Sequence, residues 1–459
     1  MIRRLFLLSF LLTCFACGAS AAEQARPNIV FIFADDWGWG DLGSHGHPYL
    51  KTPHLDQLAR DGTDFRQFTV ASGVCSPSRA AIMTGQYPAR FNIHGHFATV
   101  ESHVQRGMPD WLDPKAVMLP RLLQQAGYAT AHFGKWHLTN IMVPDAPLPA
   151  AYGYDAYGAF NLPGPQMPVH DDVKHSIAFI EKAHAAGKPF FLNLWVHEPH
   201  TPHYPKPEYL EKFAHLPDEA QRIYAAVLAH ADARIGELLA TLDRLGLRQN
   251  TLVVFSSDNG PENTGAASRR MTEDESTGPG FGSFASVGST GGHRARKRSL
   301  LQGGIGVPFI ARWPGKIPAG KTDAVTPITA VDLLPTFSAI AGAKLPPNYA
   351  PDGVDQTAAL LGTPAPLRTK PIFWQWTTAA KAGDNWPALA VRVGDLKLLV
   401  GRDPNQIELF RFPADVFEKS NLSQQQSADV TRLRALLADW TATLPAQADP
   451  ACFSATRKK

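Results

Sequence analysis

The chain has 459 residues, of which 44% are hydrophobic and 19% are charged, and its formal net charge at pH 7 is +3. This is the composition of a globular protein with room for one large core and a smaller second unit. The near balance of acidic and basic residues gives no reason to expect a nucleic-acid partner.

The N-terminus has the three parts of a secretory signal peptide, which we place at residues 1–22. Two arginines are followed by an apolar stretch from Leu5 to Phe15 and by the small residues Ala19-Ser20-Ala21. The apolar stretch is short for a bilayer span, although a short membrane anchor has a similar pattern. Cys17 makes processing as a lipoprotein an alternative, but the residues before it match the lipobox motif poorly. We expect a periplasmic or secreted protein without a stable membrane span.

Apolar runs of strand length alternate with helical segments over the first 260 residues. Nearly unbroken apolar strands predict a sheet that is covered on both faces, and the alternation predicts an α/β sandwich with a largely parallel sheet. The predicted strands are 28–33, 129–133, 190–196 and 251–256, and the predicted helices are 116–126, 171–186 and 222–245.

Polar side chains follow each predicted strand. Ligands bind beyond the carboxyl ends of the strands in open α/β sheets, so we expect these side chains to converge on one cleft. They are Asp35 and Asp36 after the first strand, Lys135 and His137 after the second, His197 and His200 after the third, and Asp258 and Asn259 after the fourth.

The remaining sequence predicts a smaller second unit. Residues 261–293 are rich in Gly, Ser and Thr and predict a long surface loop near the cleft. Residues 342–371 read as a connector, residues 389–400 as a strand pair, and residues 426–442 as a helix. We therefore predict a catalytic domain at residues 23–345 and a C-terminal subdomain at residues 346–459, with an antiparallel sheet and one helix.

The most informative stretch is Cys75-Ser76-Pro77-Ser78-Arg79, followed by Thr84-Gly85. It resembles the signature by which sulfatases have a cysteine converted to formylglycine, an aldehyde that becomes the catalytic nucleophile. By itself the stretch also fits a small buried cysteine before a helix. Cys75 and Cys452 are the two cysteines beyond residue 22, and a disulfide between them is the alternative in an exported protein.

Two acidic segments predict a metal site. The adjacent carboxylates of Asp35 and Asp36 repel each other unless a cation neutralises them. Asp258 and Asn259 add a carboxylate and a carboxamide oxygen, and hard oxygen ligands suit calcium or magnesium better than zinc. Taken alone, an Asp pair also fits a helix cap or a turn.

The motifs together extend the resemblance over roughly residues 26–345. The chain resembles a type I, formylglycine-dependent sulfatase of the alkaline phosphatase superfamily, which implies that family's α/β sandwich around a large, mostly parallel central sheet. The matching segments, in family order, are Asp35–Asp41, Cys75–Gly85, Gly134–Leu138, Pro199–Pro202, Ser257–Gly260, and Lys297 shortly before Gly303-Gly304.

The resemblance implies a role for each matching residue. Asp35, Asp36, Asp258 and Asn259 would hold a calcium ion, with magnesium as the alternative, and the modified Cys75 would complete that shell. The remaining matches would act on the substrate and the nucleophile. Arg79 would hold the formylglycine hydrate, Lys135 and Lys297 would bind sulfate oxygens, His137 would contact the formylglycine and help to break down the intermediate, and His200 would donate a proton to the leaving alcohol.

Some assignments compete, and some positions depart from the family pattern. His197 and His203 compete with His200, which we prefer because it follows a proline as in the family motif. The basic run 294–298 also fits a solvated loop, from which we keep Lys297 as functional. The departures are Gln86, Thr139-Asn140, Gln302 and Gly306, and none is a predicted metal ligand or nucleophile.

The signal peptide and the resemblance together imply an exported sulfatase that acts on a sulfated carbohydrate and needs a formylglycine-generating or sulfatase-maturating enzyme as a partner. The carbohydrate rests on export and on family association alone. One alternative is a phosphonate monoester or phosphodiester hydrolase with the same metal and formylglycine chemistry. Another is a non-catalytic glycan-binding relative, against which the intact set of polar residues argues.

Overall fold

The computed structural model describes residues 26–264, 271–273, 281–283, 285–377 and 386–457. The predicted signal peptide, residues 1–22, lies outside these ranges. Within them, every helix is too short or too polar to cross a membrane.

The described strands belong to one large sheet and three small ones. In chain order they are β1 (Asn28–Ala34), β2 (Thr63–Phe65), β3 (Phe68–Thr69), β4 (Ala129–Lys135), β5 (Ala156–Phe160), β6 (Phe190–Trp195), β7 (Thr251–Ser257), β8 (Met271–Glu273), β9 (Phe281–Ser283), β10 (Phe309–Arg312), β11 (Lys321–Asp323), β12 (Ile328–Thr329), β13 (Ile372–Gln375), β14 (Leu389–Val393), β15 (Leu396–Val400) and β16 (Ile407–Arg411).

The described helices cover both faces of the large sheet. In chain order they are α1 (Pro53–Arg60), α2 (Cys75–Thr84), α3 (Val100–Arg106), α4 (Leu119–Gln125), α5 (Asp172–Ala185), α6 (Pro207–Lys212), α7 (Glu219–Arg244), α8 (Gln302–Ile305), α9 (Leu333–Ala341), α10 (Thr357–Leu360) and α11 (Ser427–Ala442).

The large sheet has eight strands in the order β11-β2-β10-β7-β1-β6-β4-β5. Its pairings are parallel except at β10, which runs antiparallel to both β7 and β2. The predicted, largely parallel α/β sheet is therefore confirmed. The four strands predicted from apolar runs, β1, β4, β6 and β7, are neighbours in its centre.

Alternate residues of β1 enter two different cores, which explains why the whole strand is apolar. Ile29, Phe31 and Phe33 pack into the core on the side of α2, α4 and α9. Val30 and Ile32 pack into the core on the side of α1, α5 and α7. A central strand buried on both faces has no polar face, so its sequence shows no alternation.

The predicted helices are present with shifted ends. α4 starts at Leu119 rather than 116, with Pro120 in its first turn. α7 starts at Glu219 rather than 222, because the Asp218 side chain accepts a hydrogen bond from the Gln221 backbone N–H and caps the helix. That first turn is largely polar, so the apolar stripe did not reveal it.

Two predictions about irregular segments were incomplete. The predicted loop 261–293 contains the antiparallel pair β8 and β9, and its residues 265–270, 274–280 and 284 lie outside the described ranges. The predicted connector 342–371 contains the short helix α10.

The predicted strand pair is β14 and β15, to which β13 and β16 add on either side to form a four-stranded antiparallel sheet packed against α11. The division at residue 345 itself stays a prediction.

A buried ion pair joins this small sheet to the segment that carries Lys297. Lys397 on β15 donates from Nζ to Glu418 Oε1 at 2.7 Å and to the Leu300 carbonyl at 3.0 Å. The other carboxylate oxygen of Glu418 accepts from the Gln302 backbone N–H at 2.7 Å. Both charged side chains are almost fully buried.

Replacing Glu418 by alanine should lower the free energy of unfolding by about 3–5 kcal/mol, because it leaves a buried ammonium group without its partner. Chemical denaturation would measure the change. The exposed pair of Arg411 and Asp395 is the matched control, since Asp395→Ala should cost at most about 1 kcal/mol. Equal losses in the two variants would contradict this role for Glu418.

Candidate active site

The carboxyl ends of the four central strands bring the predicted polar segments together. Asp35 and Asp36 follow β1, and Asp258 and Asn259 follow β7, which pairs directly with β1. Asp36 has a φ of 66°, so the chain turns sharply where β1 ends. The backbone N–H of Asp36 donates to Asp258 Oδ1 at 3.2 Å, which ties the two segments together.

Three buried carboxylates lie at the centre of the cluster. One oxygen each of Asp35, Asp36 and Asp258 falls within 4.8 Å of the others. Asn259 donates from Nδ2 to Asp36 Oδ1 at 2.7 Å. Among the described residues, Asp35 Oδ1 and Asn259 Oδ1 are buried and have no hydrogen-bond partner. These hard oxygen donors fit a calcium or magnesium ion, whereas zinc prefers nitrogen and sulfur ligands.

Three cations contact the same carboxylates. Arg79 Nη2 lies 2.6 Å from Asp258 Oδ2 and 3.3 Å from Asp35 Oδ2. Lys297 Nζ lies 2.6 Å from Asp36 Oδ2, and Lys135 Nζ contacts Asp35 Oδ2. Burial disfavours the charged form of Lys297, but the neighbouring carboxylates, Asp36 foremost, outweigh burial and raise its pKa. Three carboxyl groups and three cationic side chains therefore lie together at this point.

Cys75 opens α2 at the edge of this cluster. Cys75 is 3% exposed to solvent, and burial raises the pKa of its thiol above the ordinary value. A neutral thiol is a weak nucleophile, so the unmodified side chain is poorly suited to attack an ester. Cys75 and Cys452 are both free, and the alternative of a disulfide between them is therefore wrong.

His137 and Phe97 meet on the next side of the site. His137 Nε2 lies 2.9 Å from the Phe97 carbonyl, to which its N–H donates, so Nδ1 carries the lone pair. That Nδ1 is buried without a hydrogen-bond partner among the described residues. Asn140 also donates to the Phe97 carbonyl, at 3.2 Å, so one of the family departures supports the position of His137.

The three histidines that follow β6 differ in what they face. His197 and His203 are held by backbone carbonyls of their own loop, at 3.1 Å from Pro202 and 2.8 Å from Pro199. The His200 side chain is 26% exposed, and its Nε2 lies 3.9 Å from Asp36 Oδ2. Its Nδ1 contacts the Thr201 carbonyl, which leaves Nε2 for the cleft. This arrangement favours His200 as the histidine that reaches a substrate.

The pKa of His200 is held well below its ordinary value, first by burial and then by the charge of Lys135. Its ring is therefore neutral in the unliganded protein. A bound anionic ester would add negative charge beside the ring and raise its pKa again, as a proton donor requires.

The basic run 294–298 is only partly solvated. Lys297 turns inward to Asp36, while Arg294 pairs with Glu408 at 2.6 Å and Arg298 pairs with Glu262 at 2.6 Å. The Gly260 N–H donates to the Gly304 carbonyl at 2.8 Å, so the turn after β7 packs directly on the segment after Lys297.

Two of the family departures form a pair. A Cβ atom at Gly306 would lie 2.4 Å from Gln302 Nε2, so glycine at 306 makes room for the glutamine at 302. The remaining departure, Gln86, follows Gly85 at the end of α2 and is partly buried.

Sequence reasoning missed several groups that build the site. Arg79 lies over the rings of Trp195 and Phe33, at 4.9 and 5.5 Å from their centroids, which fixes the guanidinium in a water-poor place. Asp41 accepts hydrogen bonds from the Tyr224 hydroxyl at 2.7 Å and from the Ser289 N–H at 2.9 Å. A local sequence pattern does not show which aromatic residue of an apolar strand will support a charged group. It also does not show which backbone carbonyl, such as that of Phe97, will accept a hydrogen bond from a site residue.

Buried carboxylates, cationic side chains and Cys75 therefore meet at the carboxyl edge of the large sheet, and such a set of charges can bind a metal ion together with an anionic ester. The sulfatase family model matches residues 27–343, and the chain therefore belongs to the sulfatase family. It is a sulfuric ester hydrolase of the alkaline phosphatase superfamily, as the sequence motifs predicted.

Curated relatives and solved structures agree with this assignment. The chain is 31% identical to the N-acetylgalactosamine-6-sulfatase of Canis lupus familiaris over 91% of this chain and 79% of the relative. It is 32% identical to human (Homo sapiens) arylsulfatase A over 78% and 72% of the two chains. The crystal structure of Ps i-CgsB superposes with a TM-score of 0.75 and 28% identity, over 91% of this chain and 93% of that one.

Proposed function

We propose that this protein is an exported sulfatase that hydrolyses a sulfate ester on a carbohydrate, through a formylglycine made from Cys75 and with a divalent metal ion. The observation that carries the proposal is the meeting of three carboxylates, three cations and Cys75 in one buried cluster. A carbohydrate substrate is supported by the similarity to N-acetylgalactosamine-6-sulfatase and to Ps i-CgsB, which was also solved "in complex with k-i-k-neocarrahexaose" (27% identity, TM-score 0.76).

The residues that would hold the metal are Asp35, Asp36, Asp258 and Asn259, with modified Cys75 as a further ligand. The ion would act as a Lewis acid that stabilises negative charge on sulfate oxygens. Since the three carboxylates already face three cations, a divalent ion would leave the site with an excess of positive charge. That excess of positive charge attracts a sulfate ester. The attraction becomes stronger as negative charge gathers on the oxygens of the ester during the reaction.

The formylglycine hydrate would supply two hydroxyl groups, one to attack sulfur and one whose deprotonation expels sulfate and restores the aldehyde. Arg79 would hold the hydrate and offset its charge. His137 would take the proton, a role supported by its buried Nδ1, which has no hydrogen-bond partner among the described residues while Nε2–H donates to the Phe97 carbonyl. Lys135 and Lys297 would bind sulfate oxygens.

Maturation requires a formylglycine-generating or sulfatase-maturating enzyme as the partner. Because Cys75 is 3% exposed in the folded chain, that enzyme would have to reach it before folding is complete. Export would remove residues 1–22, and N-terminal sequencing of the mature protein would show a start close to residue 23.

We expect His200 to protonate the leaving alcohol. His200→Gln should therefore lower kcat by roughly 10²–10⁴-fold on an alkyl sulfate such as a sugar sulfate, the usual range for a general acid. The same change should have little effect on p-nitrophenyl sulfate, whose leaving group needs no proton.

His203→Gln is the matched control for that prediction, because His203 lies in the same loop but bonds to the Pro199 carbonyl. Any damage that it does to the loop should slow both substrates alike. If His200→Gln also slowed both substrates by one factor, His200 would be a structural residue and not the acid.

The test of the proposed reaction compares sulfate and phosphodiester model substrates on matured enzyme. A higher kcat/KM for sulfate release would support the proposal, and a higher value for the phosphodiester would replace it with a phosphonate monoester or phosphodiester hydrolase. Binding of a sulfated glycan by fully modified protein without turnover would identify a glycan-binding relative instead.

A further inference from the structure

Three metal-ligating side chains outside the candidate active site come together from separate segments. His170 lies just before α5, Glu198 lies in the loop after β6, and His230 lies in the middle of α7. One ring nitrogen of each histidine and one carboxylate oxygen of Glu198 lie within 4.8 Å of one another. The sulfate chemistry described above uses none of these three side chains.

Their spacing suits a small metal ion. His170 Nε2 lies 3.0 Å from Glu198 Oε1. Two neighbouring ligands of a tetrahedral zinc ion, each bonded at about 2.0 Å, are about 3.3 Å apart. The rings of His170 and His230 meet edge to face with their centroids 4.8 Å apart, so the two imidazoles lie side by side next to the carboxylate of Glu198.

Arg234 fixes the orientation of Glu198. Its Nη2 lies 2.6 Å from Glu198 Oε2, and its Nη1 contacts Asp172 Oδ1. Oε1 is therefore left to the histidines, which is how an outer partner commonly orients a ligating carboxylate. The buried carboxyl groups of Glu198 and Asp172 both face the single guanidinium of Arg234. The resulting excess of negative charge favours a bound cation.

His170 and His230 differ in their access to solvent. His230 is almost fully buried in the middle of α7. His170 Nδ1 is buried and has no hydrogen-bond partner among the described residues. The His170 side chain is 10% exposed, which gives an ion access from solvent.

We propose that His170, Glu198 and His230 form a second metal site, which takes zinc or a similar transition metal and keeps its fourth position open to water. Two imidazoles and a carboxylate are typical zinc ligands, unlike the all-oxygen set of Asp35, Asp36, Asp258 and Asn259. Because Glu198 is two residues before His200, the ion would tie the loop of the candidate acid to α7.

The experiment is a zinc titration of the full-length enzyme in saturating calcium, which keeps zinc from the oxygen site. Bound zinc is counted by elemental mass spectrometry, and cobalt is used as a probe because a four-coordinate cobalt site absorbs visible light. The variants are His170→Gln and His230→Gln. The matched control is His184→Gln, an exposed histidine at the end of α5.

Wild type and His184→Gln should bind one equivalent of zinc, absorb visible light with cobalt, and melt at a higher Tm when zinc is present. His170→Gln and His230→Gln should lose zinc affinity by at least about tenfold and lose the gain in Tm. His170 lies just before α5 and is the more exposed of the two histidines, so its variant carries the test if His230→Gln does not fold. The proposal is overturned if wild type binds no zinc in calcium, or if a folded variant of either ligand binds it unchanged. No readout uses activity, so failure here leaves the sulfatase proposal untouched.

Discussion

Replacing Cys75 by alanine should reduce sulfate release by at least about 10⁴-fold, because the substitution removes the thiol from which the proposed formylglycine nucleophile would be made. The fold should survive, since alanine deletes one buried atom at the start of α2 and leaves the ion pairs of Arg79, Lys135 and Lys297 in place. Sulfate release and the Tm of the same samples measure the two effects separately.

Cys452→Ala is the matched control for this variant. Cys452 is also free and almost fully buried, but it packs against Val100, Trp111 and Val143, apart from the ionic cluster. It should lose a similar amount of stability and keep its activity. Mass spectrometry of the peptide around Cys75 completes the test, because the aldehyde is lighter than the thiol: an oxygen atom replaces the sulfur and two hydrogen atoms are lost. An active Cys75→Ala enzyme, or unmodified cysteine in active wild type, would rule out the proposed nucleophile.

Removal of the metal should be the second large effect. Chelation should abolish turnover and lower the Tm, because it would remove the ion that we propose to be bound by Asp35, Asp36 and Asp258. An ion present at 100 times its Kd stabilises the folded state by about 2.7 kcal/mol, so the melting curve should move by a clear margin. Calcium should restore both properties at lower concentration than magnesium, which keeps its water and demands a stricter geometry.

Asp36→Asn provides the comparison for the chelation experiment. The substitution keeps the size of the side chain and removes one ligand charge, so the concentration of calcium needed for half-maximal Tm recovery should rise. A wild-type enzyme whose activity and Tm are both indifferent to chelation would remove the metal from the proposal. An unchanged calcium response in Asp36→Asn would remove this residue from the ligand set.

The centre of the fold, and the convergence of the predicted polar residues at one edge of the sheet, could be predicted from the sequence for one physical reason. β1, β4, β6 and β7 are buried on both faces, so they read as apolar runs, and the polar residues at their ends stand out sharply. The outer strands of the sheet, β2, β5, β10 and β11, have three to five residues each and gave no such signal. The antiparallel direction of β10 depends on tertiary packing, which no local pattern encodes.

The supports of the site were harder to predict than its charged groups. Lys297 was expected to be functional from the sequence. The backbone just after it, however, is bonded to Glu418 and Lys397, which lie about 100 positions or more further along the chain. The choice of His200 over His197 and His203 rested on one neighbouring proline. The structure separates the three by their Nε2 atoms, which lie against backbone carbonyls in His197 and His203 and near Asp36 in His200. The pairing of Gln302 with Gly306 is a matter of contact that appears only in three dimensions.

The buried link between Glu418, Lys397 and the segment from Leu300 to Gln302 bears on how this enzyme can be recombined with its relatives. A chimera that exchanged the region after residue 345 would replace the groups that hold the backbone just beyond Lys297. Such a chimera would alter the cleft even if every residue of the cleft were retained. The two parents of a functional hybrid should therefore have the same residues at these contacts. A crossover inside the small sheet would preserve the contacts only if Lys397 and Glu418 came from the same parent.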